Sequence, residues 1–255
     1  MTSDLHGRVA VITGASRGIG AGLAEHFAAA GLRLGLCARE RPARVALAAN
    51  DTEPVCAAVD VTDHDDLASF ASVVVERFGR IDLWINNAGV LAPIGPLATA
   101  EPRQVARNIE VNVIGVLHGS AVFARHVRAR PGPGVLINVS SGAATRPYVG
   151  WAPYCAAKAA VDQLTRVVAL EEAHHGLSAY AVAPGVVDTG MQEAIRASSP
   201  DDFPEVERFR QMAAAEGFNS TTWLAEQLLQ IAFDDDPPEQ VVVRIADEPR
   251  GGAGL

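Results

Sequence analysis

The sequence predicts a layered α/β fold: a doubly wound parallel sheet of about seven strands with helices on both faces. Three observations carry this expectation. Short apolar runs alternate with longer helical stretches along most of the chain. Ala, Val and Leu dominate while aromatic residues make up only 5%, which suits parallel strands buried on both faces. A glycine-rich turn follows the first apolar run and opens the first helical one.

Taken in order, Val9–Thr13 reads as the first strand and Ile19–Ala30 as a helix closed by Gly31. Arg33–Cys37 and Val55–Val59 read as the second and third strands. Asp63–Phe78 reads as a helix with Asp63 near its cap and Gly79 at its end. Leu83–Asn86 is a fourth strand. A long helix is expected from about Glu101 to Arg130, stopped by Pro131-Gly132-Pro133-Gly134. Val135–Val139 is a fifth strand, Trp151–His174 a helix ended by Gly176, Leu177–Ala183 a sixth strand and Gln240–Ile245 a last one. Strands alternating with helices in this way imply parallel βαβ units. Met191–Phe218 mixes polar residues with Met191, Ile195, Phe203, Phe209, Met212 and Phe218; a segment of about 190–220 is expected to cover a cleft as a lid.

The 255 residues fit one α/β domain, 1–255, with a cofactor half of about 7–135 and a catalytic and substrate half of about 136–255. A domain of this size buries roughly three quarters of its unfolded surface and needs neither disulfides nor metal. A net charge of −9 argues against nucleic acid as a partner. The three cysteines, Cys37, Cys56 and Cys155, have neither disulfide nor metal spacing, so reduced thiols, no metal site and a cytoplasmic protein are expected. Met1–Arg8 has no apolar signal region, and no run of about 18 apolar residues suggests a membrane span. The triplets Asn138-Val139-Ser140 and Asn219-Ser220-Thr221 are read as chance matches to a glycosylation signal.

Thr13-Gly14-Ala15-Ser16-Arg17-Gly18-Ile19-Gly20 lies between a strand and a helix, the context in which glycines let backbone N–H groups approach a pyrophosphate. This Thr-Gly-x-x-x-Gly-x-Gly spacing resembles that of the short-chain dehydrogenases/reductases, a Rossmann-fold family. The resemblance continues through Asp60-Val61, Asn86-Asn87-Ala88-Gly89, Asn112, the set Ser141, Tyr154 and Lys158, and Pro184-Gly185 with Thr189, in unbroken order over roughly 7–190. It implies a nicotinamide dinucleotide held by Gly14, Ser16, Arg17, Gly18, Ile19, Gly20, Arg39, Asp60, Val61, Asn87, Ala88, Gly89, Tyr154, Lys158, Pro184, Gly185, Val187 and Thr189.

Tyr154 and Lys158 lie four apart in a helical segment, so their side chains share a face. A free phenol has a pKa near 10 and is a poor acid-base group at neutral pH. A neighbouring ammonium is expected to lower it, so that Tyr154 can give a proton to a carbonyl oxygen as hydride reaches the carbon. Ser141 ends the fifth strand, where parallel sheets bind ligands. The family places its catalytic serine 13 residues before the tyrosine, which selects Ser141 over Ser140. By the same resemblance Asn112 offers a backbone carbonyl to a water that touches Lys158. Tyr148, Trp151 and Met191, with Ser141, are candidate substrate contacts, and Tyr148 lacks a lysine four residues on. His174-His175 reads as surface, and Cys155 lacks a partner.

An NAD enzyme usually carries an acid at the end of the second strand. By resemblance that position is Ala38, followed by Arg39; with Arg17 it suits a 2′-phosphate, so NADP(H) is expected ahead of NAD(H), although Glu40 would invert the preference if it faced the ribose. Pro184-Gly185-Val186-Val187-Asp188-Thr189-Gly190-Met191-Gln192 and Val241–Asp247 resemble the sepiapterin reductase and benzil reductase branch. Arg244 stands where sepiapterin reductases anchor the pterin with an aspartate, although Asp247 is close, and this departure favours a ketone or vicinal diketone as the small-molecule substrate. The alternatives are a secondary-alcohol dehydrogenase or 3-oxoacyl-type reductase and, from another class, a non-catalytic NADP-binding regulator. The resemblance implies a homodimer or homotetramer through the long helix and the catalytic helix, whose Val111, Ala121, Val161, Val168 and Ala169 fit such a contact but also fit ordinary core packing.

Overall fold

The computed structural model describes residues 5–42 and 52–249. The two ends of the expected 1–255 domain, and the stretch 43–51, lie outside these described residues. Seven strands form one wholly parallel sheet: β1 (Val9–Thr13), β2 (Arg33–Ala38), β3 (Val55–Ala58), β4 (Leu83–Asn86), β5 (Gly134–Val139), β6 (Leu177–Ala183) and β7 (Val242–Arg244). Their spatial order is β3-β2-β1-β4-β5-β6-β7. The chain winds outward from β1 in one direction and then, from β4, in the other. The switch point therefore falls between β1 and β4, and their carboxyl ends open a crevice for a ligand.

Alternation along the strands splits the core into two layers. In β1, Ala10 and Ile12 face one layer, with Leu23 and Phe27 of α1 (Gly18–Ala29) and Leu224, Leu228 and Ile231 of α8 (Thr221–Phe233). Val9 and Val11 face the other, with Leu67, Phe70 and Val74 of α2 (His64–Phe78) and Phe123 and Val127 of α4 (Gly115–Arg128). Each such fully buried side chain contributes roughly 1.5–3 kcal/mol.

Local chemistry sets the helix ends. The Asp63 carboxylate accepts from the N–H groups of Asp65 and Asp66 and starts α2; Gly79, at φ 84°, ends it in the left-handed region, as expected. The helix expected across 101–130 is interrupted. It runs as α3 (Pro102–Ile109), a π-turn (Glu110–Ile114) and α4. Asn112 sits in that π-turn, and its side chain leaves the helix to bond both backbone groups of Val90, at 3.0 and 2.7 Å. Helix α5 spans Ala152–Glu172.

Residues 190–218 form two short helices, α6 (Gly190–Arg196) and α7 (Val206–Ala214). Helix α8 follows directly, in a stretch without an expected element, capped by Ser220, whose hydroxyl accepts from Trp223 N at 3.0 Å. The last strand is shorter than expected. Val111, Val161, Val168 and Ala169 prove to pack in the core or against it rather than outward. The exposed apolar residues of this side are Ile114, Leu117, Val167 and Leu170. Among the described residues no helix is long and apolar enough to cross a membrane.

Candidate active site at the carboxyl edge of the sheet

The turn after β1 is shaped for close approach. Gly14 has φ 67°, and a Cβ there would lie 2.7 Å from the Ala88 backbone. A Cβ on Gly20 would lie 2.4 Å from Gly14 O and 2.6 Å from Asn87 Nδ2. These positions accept only glycine, and the space kept clear is backbone lined by the start of α1. Asn87 holds the turn: its Nδ2 donates to Thr13 O at 2.9 Å and Gly14 O at 3.2 Å, while the N–H groups of Asn87 and Ala88 donate to Thr13 Oγ1. A Cβ on Gly18 would meet Thr189 Cγ2 at 3.3 Å, so the first turn and the loop after β6 close on one another. Gly14, Gly18 and Gly20 thus meet Asn87, Ala88 and Thr189 at one edge, with the expected Ser16, Arg17 and Ile19 in the same turn, and the geometry fits a dinucleotide.

The loop after β6 is tied down by a residue that sequence reasoning passed over. Asn219 N donates to Val186 O at 2.7 Å, its Nδ2 donates to Pro184 O at 3.2 Å, and its Oδ1 accepts from Glu248 N at 2.9 Å. The expected contacts Pro184, Gly185 and Val187 therefore rest on a buried clamp. In the sequence Asn219 stands out only as part of a chance triplet. Asn138, the head of the other triplet, is also buried: it joins Asn86 at 2.8 Å and Thr165 at 2.9 Å, linking β4, β5 and α5.

Further out, Asp60 pairs with Arg107 at 2.8 Å. Burial works against the Asp60 carboxylate, but hydrogen bonds from Thr62 and Arg107 hold it below its usual range. Val61 is buried against α4, where a Cβ on Gly115 would lie 2.6 Å from its Cγ2. Arg17, Arg39 and Glu40 are all exposed, and among the described residues neither arginine has an ion-pair partner. Ala38 closes β2 with a buried methyl group where an acid would otherwise stand.

Ser141, Tyr154 and Lys158 come together beyond the end of β5. Tyr154 is 7% exposed, and the Ser141 side chain is near enough to its phenol to act against the effect of burial. Lys158 is 4% exposed; its Nζ donates to Val139 O at 2.7 Å and lies 5.6 Å from the centre of the Tyr154 ring. Gly89 is close by, since a Cβ there would stand 2.9 Å from Asn112 Oδ1 and 3.9 Å from Lys158 Nζ. Ser140 turns away, bonding Asp162. One expectation needs correction. The ammonium does not govern the phenol: burial pushes Tyr154 up to about 12 against the opposing effect of the Ser141 side chain. Burial also pushes Lys158 down to about 8, against the Asp162 charge. Both groups are dry enough that desolvation favours their neutral forms.

A third apolar cluster roofs this point. It contains Trp151, Tyr154, Leu91, Ile195, Phe203 and Phe209, with Tyr148 and Met191 against it. Trp151 stacks on Phe203 at 4.6 Å, lies 4.7 Å from Tyr148 and meets Tyr154 edge-on at 6.0 Å. All three named substrate candidates beside Ser141 are therefore gathered around the phenol. Phe203 and Phe209 join them from the segment expected to act as a lid; their aromatic character was visible in the sequence, their destination was not. His174 and His175 are exposed, and among the described residues no cluster of His, Cys, Asp and Glu could hold a metal.

A switch-point crevice, a glycine cradle and a half-buried Ser141 beside buried Tyr154 and Lys158 define an α/β protein built for a dinucleotide. Residues 8–200 match the family model described as short chain dehydrogenase, and the chain belongs to that family. A benzil reductase ((S)-benzoin forming) of Bacillus cereus is 30% identical over 93% of this chain and 99% of its own length. A sorbitol dehydrogenase of Cereibacter sphaeroides is 35% identical over 84% of each chain. A 3-ketoacyl-(acyl-carrier-protein) reductase of Brucella melitensis, solved with NADH, superposes with a TM-score of 0.78 at 26% identity over 94% of this chain and 96% of its own.

Proposed function

We propose that this chain is an NADP(H)-dependent carbonyl reductase that converts a ketone or vicinal diketone to the hydroxy compound, with Tyr154 as proton donor. The observation that carries the reading is the buried phenol of Tyr154, set between Ser141 and Lys158 at the open edge of the sheet. A phenol held at about 12 is fully protonated at neutral pH, the form a proton donor needs. Ser141 and Tyr154 donate to the substrate oxygen. A bound nicotinamide supplies the hydride. As negative charge develops on that oxygen, the Tyr154 proton moves to it, and the Lys158 ammonium stabilises the phenolate left behind; such acid catalysis is worth roughly 10²- to 10⁴-fold. Lys158 has donors to spare for the cofactor ribose, and Asn112 in its π-turn stands where a water could return the proton.

The exposed guanidiniums of Arg17 and Arg39, which have no ion-pair partner among the described residues, together with Ala38 in place of an acid, support NADP(H). Near full-length similarity to a benzil reductase supports the diketone, and the exposed position of Arg244 supports no pterin anchor there. The roof of Trp151, Tyr148, Met191 and Phe203 is apolar and aromatic, as an aryl ketone requires. Residues 190–220 serve as its lid, and the exposed Leu117 and Leu170 form part of a homo-oligomer contact. A cytoplasmic location fits cysteines that form no disulfide.

The runner-up is oxidation of a secondary alcohol, favoured by similarity to a sorbitol dehydrogenase. A panel of benzil, a monoketone and a sugar alcohol, each assayed with both nicotinamides, separates the readings. Rapid loss of NADPH absorbance with benzil is expected. Turnover confined to the sugar alcohol with NAD would reverse the assignment, and no turnover on any substrate would favour a regulator.

A further inference from the structure

We propose that Asp162 is a positioning residue for the proton-transfer group: from the buried face of α5 its carboxylate fixes the end of β5 through Ser140 and sustains the charge of Lys158. Tyr154, Lys158 and Asp162 recur at four-residue intervals on one helix and so share one face. Asp162 is only 4% exposed. A buried carboxylate is costly unless it is bonded and paired. Its bond comes from the Ser140 hydroxyl, itself 2% exposed. Ser140 N donates to Val182 O at 2.8 Å, so the sheet holds Ser140 while Asp162 holds its side chain. Ser141 is the next residue, and its direction toward Tyr154 follows from that anchorage. The Asp162–Ser140 bond thus fixes Ser141 from β5 relative to Tyr154 from α5.

The second role is electrostatic. The charged groups acting on Asp162 are Arg166, a turn further along α5, and Lys158; from β5 the facing group is the Ser140 hydroxyl. Arg166 is exposed, whereas Lys158 is buried. Lys158 is already pushed down to about 8 by burial, and Asp162 is the charge opposing that push. Without the carboxylate, the ammonium would lose its proton nearer neutrality and could no longer stabilise a phenolate.

The chain contains a single lysine, Lys158. Protein made with lysine ¹³C-labelled at the ε carbon, without a lysine-bearing tag, therefore gives one lysine side-chain resonance that reports this group directly. In the wild type its midpoint is expected near 8, with a second, smaller inflection in the acid range as Asp162 takes up a proton. Asp162→Asn keeps the shape and the Ser140 bond but removes the charge; the midpoint should fall by about one pH unit. Ser140→Ala keeps the charge and should leave the midpoint in place. The alkaline limb of the reduction rate should move with the Asp162→Asn midpoint. An Asp162→Asn midpoint equal to the wild type's would overturn the proposal; if that variant does not fold, a wild-type curve lacking the acid inflection would do so. The kinetic arm rests on the reductase reading, but the resonance needs no substrate, so failure of one is distinguishable from failure of the other.

Discussion

Burial shifts Tyr154 and Lys158 in opposite directions, although reduction needs both of them protonated. Burial favours the neutral phenol, and reduction uses that form, so the rate of ketone reduction should stay flat through neutrality and fall above about 8 as Lys158 loses its proton. Alcohol oxidation needs the phenolate and should instead climb from acid toward alkaline pH, roughly tenfold per unit while little phenolate is present. Pre-steady-state rates in both directions across pH check this. Arg39 belongs to the same scale. Losing one charge-assisted bond to phosphate costs about 1.5–3 kcal/mol, so Arg39→Ala should raise the Kd of NADPH roughly tenfold to a hundredfold while leaving that of NADH nearly unchanged. Equal weakening of both would remove the argument for NADP(H). Most of these residues were legible in the sequence because spacing on a helix or at a strand end fixes direction. Ser141 over Ser140 rested instead on the family resemblance, while Asp162, one turn beyond Lys158, shows the same helical spacing as Tyr154 and Lys158. Desolvation was not legible: it depends on Trp151, Phe203 and Phe209 closing over the phenol, and those contacts join distant parts of the chain.

The secondary-structure elements were readable where local chemistry decides them and missed where tertiary bonds do. Asp63 and Gly79 delimit α2 by capping alone. The π-turn at Glu110–Ile114 depends on Asn112 reaching Val90, 22 residues away, and a helical pattern cannot show it. Asn219 likewise acts through partners before and after it in the chain. Asn219→Ala leaves the Pro184 carbonyl and the Glu248 N–H without their side-chain partner, and should cost about 2–3 kcal/mol and weaken cofactor binding; thermal melts with and without NADPH measure both. His126 joins α4 to the start of β4 by accepting from Ile81 N at 3.0 Å, which needs a neutral ring. Burial lowers its pKa below the ordinary value of 6.5. The unfolded chain then binds the proton more readily, so the stability from this group is complete above 6.5 and declines as pH falls through the folded value. His126→Gln should flatten that part of the stability–pH curve.

For the whole molecule, the sheet order places every proposed contact on one edge because all seven strands run in the same direction. The alternation of strands and helices was enough to foresee this. The outward surface was harder to foresee: apolar residues on α4 and α5 look alike in sequence, and only packing separates Val161, at 0% exposure, from Leu170, at 82%. If Leu170 and Leu117 bury against a second copy, the double variant Leu117→Glu with Leu170→Glu should lower the mass measured by light scattering to that of one chain without unfolding it. An unchanged mass would place the contact elsewhere. The most direct test of the central claim is Tyr154→Phe, measured for both NADPH affinity and benzil turnover. Loss of only the hydroxyl should leave Kd within about twofold while kcat falls roughly 10²- to 10⁴-fold. A variant that binds NADPH normally and still reduces benzil at the wild-type rate would contradict the assignment of Tyr154 as proton donor.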